Sequence, residues 1–162
     1  VTLSISESSP QQAALVHGIM LTAFAEYNGQ LYPASACHTE TVGDVAEAIQ
    51  AGGAVLAWHD GQAVGSARYA FQGDACWVAR VSVLPDYRGM GIASAMMEAL
   101  EMRARQRGYA HMQLGSRLNL PKNITLYQRM GYGIVNQYQI APDADVQVTM
   151  VKRLEAPIAE PA

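Results

Sequence analysis

The stretch "ARVSVLPDYRGMGIASAMMEAL", Ala79 to Leu100, passes from an alternating apolar run through an arginine and two glycines into a helical pattern. A strand, a glycine turn and a helix in that order serve three ligand chemistries, and each makes its own demand on the residues. A dinucleotide fingerprint needs a third glycine and an acidic residue about 20 positions on. Gly89 and Gly91 supply the first two glycines, but Ser94 stands in the third place and no acidic residue falls near that distance. A Walker-type loop must end in Gly-Lys-Ser/Thr, and no lysine occurs between Val1 and Pro121. A pyrophosphate cradle asks only for backbone N–H groups at a helix start, close approach at glycine and a favourable dipole. Gly89 and Gly91 meet that demand, and Arg88 adds a cation. The reading that carries no ligand is an ordinary strand-to-helix turn with an exposed arginine.

Composition narrows what the turn could serve. With 162 residues, half of them hydrophobic, the chain can bury a core without metal or disulfides. It is expected to form one domain over residues 1–155, followed by a frayed tail, 156–162, that holds two prolines. A net charge of -3 gives no basic face for nucleic acid. Arg103, Arg105 and Arg107 cluster where a helix should end, which suits dipole compensation. Cys37 and Cys76 form no CxxC and join no Cys/His array, so neither a metal nor a disulfide is expected, and a reducing cytoplasm suits them. No apolar run nears the roughly 18 residues of a membrane span, and "VTLSISESSP" lacks a signal-peptide pattern.

Periodicity then orders the elements. Thr2 to Ser6 alternates as a strand. Ser8-Ser9-Pro10 starts a helix running to about Tyr27, with Leu15, Ile19, Met20, Ala23 and Phe24 on one face. A loop, "GQLYPASACHTE", leads to a short helix from Thr41 to Gln50. "AVLAWHDGQAVGSARYAF" is a hairpin turning at Asp60-Gly61, and "ACWVARVSV" is the next strand. A long helix from Gly91 to Arg107 turns Ile92, Met96, Ala99 and Leu100 inward. After it come a strand from Ala110 to Gly115, a helix within "NLPKNITLYQRM", and two closing strands around Pro142-Asp143. This mixed α/β order is not the regular alternation of a doubly wound domain.

Two of these stretches carry a family resemblance. "RVSVLPDYRGMGIASAMMEAL" resembles the acetyl-CoA-binding core of the GNAT N-acetyltransferase superfamily, whose pattern of Arg or Gln, two residues, Gly, one residue, and Gly or Ala is met from Arg88 to Ala93. "NITLYQRMGY" is similar to the family's second signature, with Leu126, Tyr127, Gly131 and Tyr132 in the matching places. The resemblance implies a GNAT fold: a central, mostly antiparallel sheet of about seven strands flanked by about four helices. It further implies direct transfer of an acetyl group from acetyl-CoA, as co-substrate and without a metal, to a primary amine. Small-molecule amines are favoured as acceptors over a protein or peptide amine. Association of copies through the last strands is a family habit, so a homodimer belongs to the expectation.

The same resemblance distributes roles. Backbone N–H groups of Val81 and Val83 should face the thioester and the pantetheine arm. Arg88, Gly89, Met90, Gly91, Ile92 and Ala93 should hold the pyrophosphate. Tyr127 is the candidate general acid toward the departing thiolate, against core packing as its plainer role. Phe24, Glu26, Tyr27 and Tyr32 are placed at the acceptor pocket. Two departures stand out. Many members carry a glutamate on or near the fourth strand as base or water relay, whereas "CWVARVSV" offers Arg80, leaving Glu26, His38, His111 or water. The asparagine usual seven residues before the tyrosine is replaced by Leu120, with Asn119 and Asn123 flanking it, so Asn123 either caps the helix or touches the cofactor. A non-catalytic acyl-CoA sensor on the same fold is the competing reading. A different acyl group, such as succinyl, stays open because of Arg80.

Overall fold

The computed structural model describes residues 2–155 and arranges them around one seven-stranded sheet. The expectation of a frayed tail falls on 156–162, outside the described residues. The elements are β1 Leu3–Glu7, α1 Ala13–Phe24, α2 Val42–Ala51, β2 Gly53–His59, β3 Gln62–Gln72, β4 Ala75–Val83, α3 Ile92–Gln106, β5 His111–Arg117, α4 Pro121–Arg129, β6 Gly133–Tyr138 and β7 Gln147–Arg153. Their order across the sheet is β1-β2-β3-β4-β5-β7-β6. Among the described residues β4 and β5 are the one parallel pair, which a crossover through α3 makes possible.

Alternation along the strands builds two cores, one on each face. Val55 and Ala57 of β2 point into the larger core with Ile92, Met96, Met112 and Met150. Their neighbours Ala54 and Leu56 point the other way, onto Val16, Ile19 and Met20 of α1 and Val45 and Ile49 of α2. Thr41 caps α2, accepting from the Asp44 N–H at 3.1 Å while Asp44 returns a bond to the Thr41 N–H at 2.9 Å. The β2–β3 hairpin turns as expected, with Asp60 and Gly61 both at positive φ, 49° and 82°.

One expected face is corrected. Pro10–Gln12 forms a separate 3-10 turn, and α1 begins only at Ala13 and ends at Phe24 before a second 3-10 turn over Ala25–Tyr27. Its buried stripe is Val16, Ile19, Met20 and Ala23, while Leu15 is 38% exposed. Leu15 lies one residue, roughly 100° of helix rotation, off that stripe.

What positions the site is the way β4 leaves β5. Their pairing covers Ala75 to Val78 against His111 to Leu114 and then stops. On its other side β4 stays on β3 but takes in an extra residue. Ser66 faces Ser82 and Arg68 faces Ala79, so Arg80 and Val81 together oppose Ala67, and Arg80 sits in the left-handed region at φ 55°. A bulge of this kind bends and twists the strand that carries it. The end of β4 is thereby turned away from β5, and a wedge opens between the strands.

Candidate functional site

The wedge is lined first by backbone. Leu84 donates its N–H to the Val64 carbonyl of β3 at 2.9 Å. Donors alternate in direction along a regular strand, so the N–H group of Val83 points away from β3, into the opening, while Val81 lies in the bulge next to it. Both residues border a cavity of about 1350 Å³ that fills the wedge. A single small ligand needs about 300–1,000 Å³, which leaves this volume room for two.

At the foot of the wedge stands the start of α3. Gly89 and Gly91 take φ values of 78° and 77°, and no atom lies within 4 Å of where a Cβ would stand on either. Glycine is therefore required there by conformation and not by crowding. Gly91 is the N-cap and no side chain caps the helix; the first bond inside it runs from the Ala95 N–H to the Gly91 carbonyl. The N–H groups of Ile92, Ala93 and Ser94 thus have no intrahelical acceptor, and all three residues border the cavity. Met90 does not border it, and its side chain is exposed. Any part it plays there falls to its main chain.

Arg88 is already engaged. Its guanidinium donates to the Ala23 carbonyl at 3.0 Å and pairs with Glu26 at 2.9 Å, and its Nε reaches the Val83 carbonyl at 3.4 Å. A cation against the last carbonyls of α1 complements the negative end of that helix. Glu26, one of the candidates for the base, is consequently an ion-pair partner at the cavity rim.

The far wall comes from α4. Leu120 is its N-cap, which settles one of the two roles open to Asn123: that side chain caps nothing and donates to the Tyr27 hydroxyl at 3.2 Å. Tyr127 packs edge-on against Tyr132, ring centroids 6.1 Å apart, and borders the cavity. Its hydroxyl has no hydrogen-bond partner among the described residues. Burial, followed by the neighbouring Tyr27, pushes the Tyr127 phenol well above its ordinary value, so it stays protonated near neutral pH.

Of the remaining expected residues, Phe24 and Tyr27 border the cavity and stack edge-to-face at 5.6 Å. Three others are not brought there. Tyr32 is 56% exposed; its main-chain N–H, not its ring, is what binds, to Asp145 at 2.9 Å. His111 opens β5 at the end of the sheet remote from the wedge, 3.3 Å from Asp74. His38 lies outside the lining, with its Nε2 buried and unpartnered. As candidates for the base, both histidines are therefore misplaced.

The sequence model of the acetyltransferase (GNAT) family matches residues 20–132, well over half of the chain. This chain belongs to the GNAT family. It is an N-acetyltransferase of that family, and the fold agrees. The ribosomal-protein-alanine N-acetyltransferase of Escherichia coli superposes with a TM-score of 0.74 at 18% identity, over 99% of both chains. PaiA N-acetyltransferase of Thermoplasma acidophilum, in complex with coenzyme A, gives 0.78 at 13% identity, over 94% of this chain and 99% of that one. An IAA acetyltransferase of Bacillus cereus gives 0.71 at 14% identity, over 94% and 100%. No curated protein sequence matches the chain. Among the described residues no helix is long and apolar enough to cross a membrane, and no group of three His, Cys, Asp or Glu side chains could hold a metal ion.

The structure adds to this GNAT acetyltransferase a set of residues that sequence reasoning passed over. Glu40, from the loop after α1, reaches both arginines of the bulge region. Arg68 clamps it with two bonds of 2.6 and 3.0 Å, and Arg80 Nε donates at 2.7 Å. Burial alone would push the Glu40 carboxyl up, but the bonds and charges of Arg68 and Arg80 outweigh it and hold it below the usual carboxylate range. Glu40 is thus a brace that is ionised at neutral pH, unsuited to serve as a base. A second brace ties the other end of the same loop: Arg117 of β5 pairs with Asp145 at 3.0 Å and donates to the Pro33 carbonyl, while the Tyr32 N–H donates to the Asp145 carboxylate and the Asp145 N–H to the Tyr32 carbonyl. The Tyr32 N–H, then Arg117 and Asn119, hold the Asp145 carboxyl below its usual range. No local pattern signals either brace, because each joins residues that are 28 or more positions apart.

Proposed function

We propose that the chain catalyses acetyl-CoA-dependent acetylation of a small-molecule primary amine in the wedge between β4 and β5. The observation that carries this reading is the pairing of two kinds of unspent donor across one cavity: the main-chain N–H groups of Val83 and the α3 start, and the partnerless phenol of Tyr127. Acetyl-CoA, when bound, supplies an acetyl thioester whose C–S bond is exchanged for a C–N bond, one proton passing from the amine nitrogen to the departing sulfur.

The chain's residues divide that work. Gly89 to Ala93 offer amide donors and a helix dipole to the pyrophosphate, with the main chain of Met90 included. Val83, with Val81 in the bulge next to it, aims its N–H group at the place where negative charge grows on the carbonyl oxygen. Tyr127, protonated at neutral pH, gives its proton to the departing sulfur and regains one from the amine nitrogen as the amide forms. Asn123 and Tyr27 hold each other at the cavity wall. Phe24 and Tyr27 give the acceptor an aromatic surface. A side-chain base is not required: Arg80 leaves an excess positive charge at the acceptor end, which favours the neutral form of an amine bound beside it.

Two measurements test the reading. Calorimetry with acetyl-CoA should give saturable binding; none at millimolar concentration would reject it. Thiol release over a panel of amines should then show turnover that depends on the acceptor. Saturable binding with no turnover on any amine would favour the non-catalytic acyl-CoA sensor.

A further inference from the structure

Among the described residues the charged groups bordering the cavity are Glu26, Arg80, Arg88, Arg117, Lys122 and Arg129. Five are cations, and the one carboxylate is already held by Arg88. A polycationic acceptor would find no free counter-charge in this site. The cations also divide by position. Arg88, just before α3, turns its guanidinium to Ala23 and Glu26 at the end of α1, and Lys122 and Arg129 lie on α4, where the acyl donor is placed above. Arg80 and Arg117 lie on the opposite face of the sheet. Arg80 bonds Glu40 and Arg117 bonds Pro33, and both partners belong to the loop that follows α1. The two arginines also stand on the two strands that part: Arg80 two residues beyond the last β4 pair at Val78, Arg117 three beyond its partner Leu114.

Their donors are only partly used. A guanidinium carries five N–H donors in a planar fork. Among the described residues the bonds of Arg80 use Nε alone and those of Arg117 use Nη1 alone. Both side chains are mostly buried, at 27% and 13% exposed, and held by carboxylates that do not border the cavity. Such a fixed fork with spare terminal donors matches the geometry of a carboxylate. Charge bookkeeping agrees, since Arg68, Arg80 and Glu40 together leave one positive charge uncompensated, and Arg80 is the member that reaches the cavity.

We infer that the acceptor is an amine that carries its own carboxylate, an amino acid or close analogue, and that Arg80, which lines the same cavity as Arg117, reads that carboxylate. The inference rests on the acetyltransferase reading and specifies its substrate class. Pairing the carboxylate with Arg80 neutralises its charge as the amine beside it experiences it. That removes the internal counter-charge that otherwise stabilises the ammonium, so recognition and activation of the nucleophile come from one contact.

The test uses the reaction product, so that binding is read without turnover. N-acetyl derivatives of the twenty common amino acids, and their matching carboxamides, are titrated calorimetrically into the full chain saturated with coenzyme A. At least one N-acetyl amino acid should bind saturably, and its carboxamide at least tenfold more weakly. In R80Q the preferred acid should lose at least tenfold while the affinity for coenzyme A stays within about twofold; R80K should recover part of the loss. Carboxamides binding as tightly as acids, or no acid binding at millimolar concentration, would overturn the inference, and the comparison within the wild-type chain decides this even if R80Q does not fold. Failure of coenzyme A itself to bind is a separate outcome, and rejects the acetyltransferase reading together with what rests on it.

Discussion

Glu40 and Arg80 meet at 2.7 Å, joining the loop after α1 to the one residue of β4 with a left-handed backbone. For a residue with a Cβ that conformation costs roughly 1–2 kcal/mol, and it persists because the guanidinium is anchored. Removing the anchor also strands Arg68, which is buried. Glu40→Ala should therefore destabilise the chain by about 3 kcal/mol, the range for a buried pair that loses one partner. Urea unfolding of the variant against wild type measures this, and a loss under about 1 kcal/mol would show that the brace contributes little.

The same brace predicts an acid limb. Because the folded carboxyl lies below its reference value of 4.5, its contribution is fully present above that pH and is lost as pH falls through the folded value. The stability margin of wild type over Glu40→Gln should be constant near neutrality and shrink below pH 4.5. Unfolding midpoints for both proteins, taken from pH 7 downward, would expose a margin that fails to shrink.

Tyr127→Phe keeps the ring against Tyr132 and removes only the partnerless hydroxyl. Its kcat should fall about 10²-fold or more, with coenzyme A affinity unchanged. Since the phenol is pushed above its ordinary value of 10, the wild-type kcat should show no falling limb up to that pH. A variant with full turnover would return Tyr127 to plain packing.

Arg88 is paired with Glu26 at the rim of the cavity that the α3 start also borders, so a role in holding coenzyme A would compete with that pair. Glu26→Gln should tighten coenzyme A binding several-fold by freeing the guanidinium, while Arg88→Ala weakens it without abolishing it, because the main-chain donors remain. Titrations at low and high salt would separate the two, the wild-type difference fading as salt screens the pair. Unchanged affinity in both variants would remove Arg88 from the cofactor site.

Gly91→Ala isolates the turn itself. Nothing crowds its Cβ position, so the cost is the positive φ alone, roughly 1–2 kcal/mol. Lower thermal stability together with weaker coenzyme A binding is the expected result. A variant indistinguishable from wild type in both would show that the cradle does not depend on the left-handed cap.

The turn and its helix were legible because their signal is local: glycines, an arginine and a 3.6-residue period within about twenty positions. Tyr127 was legible for the same reason, as part of a compact second signature. Leu15 misled because it borders the buried stripe of α1, and only the start of the helix after a 3-10 turn shows which register is inside. Tyr32 misled differently: an aromatic in a loop after the first helix reads as a pocket wall, yet its main chain makes the contact. Glu40, Arg68, Arg117 and Asp145 left no trace, since an ion pair between distant positions has no periodicity to detect. Arg80 stands out in the sequence as a cation where a carboxylate is expected and as a reason to keep another acyl group open, but its tie to Glu40 does not.

The four-residue pairing of β4 with β5 works as the spine of an open book, β1 to β4 forming one leaf and β5, β7 and β6 the other. The segment from Tyr32 to Glu40 is then a clasp across the open edge, fastened to one leaf through Arg117 and Asp145 and to the other through Arg68 and Arg80. Spine and clasp together set how far the pages stand apart, so the gauge of the opening is inherited from two sets of charges, each with one arginine on the cavity wall and its carboxylate behind it.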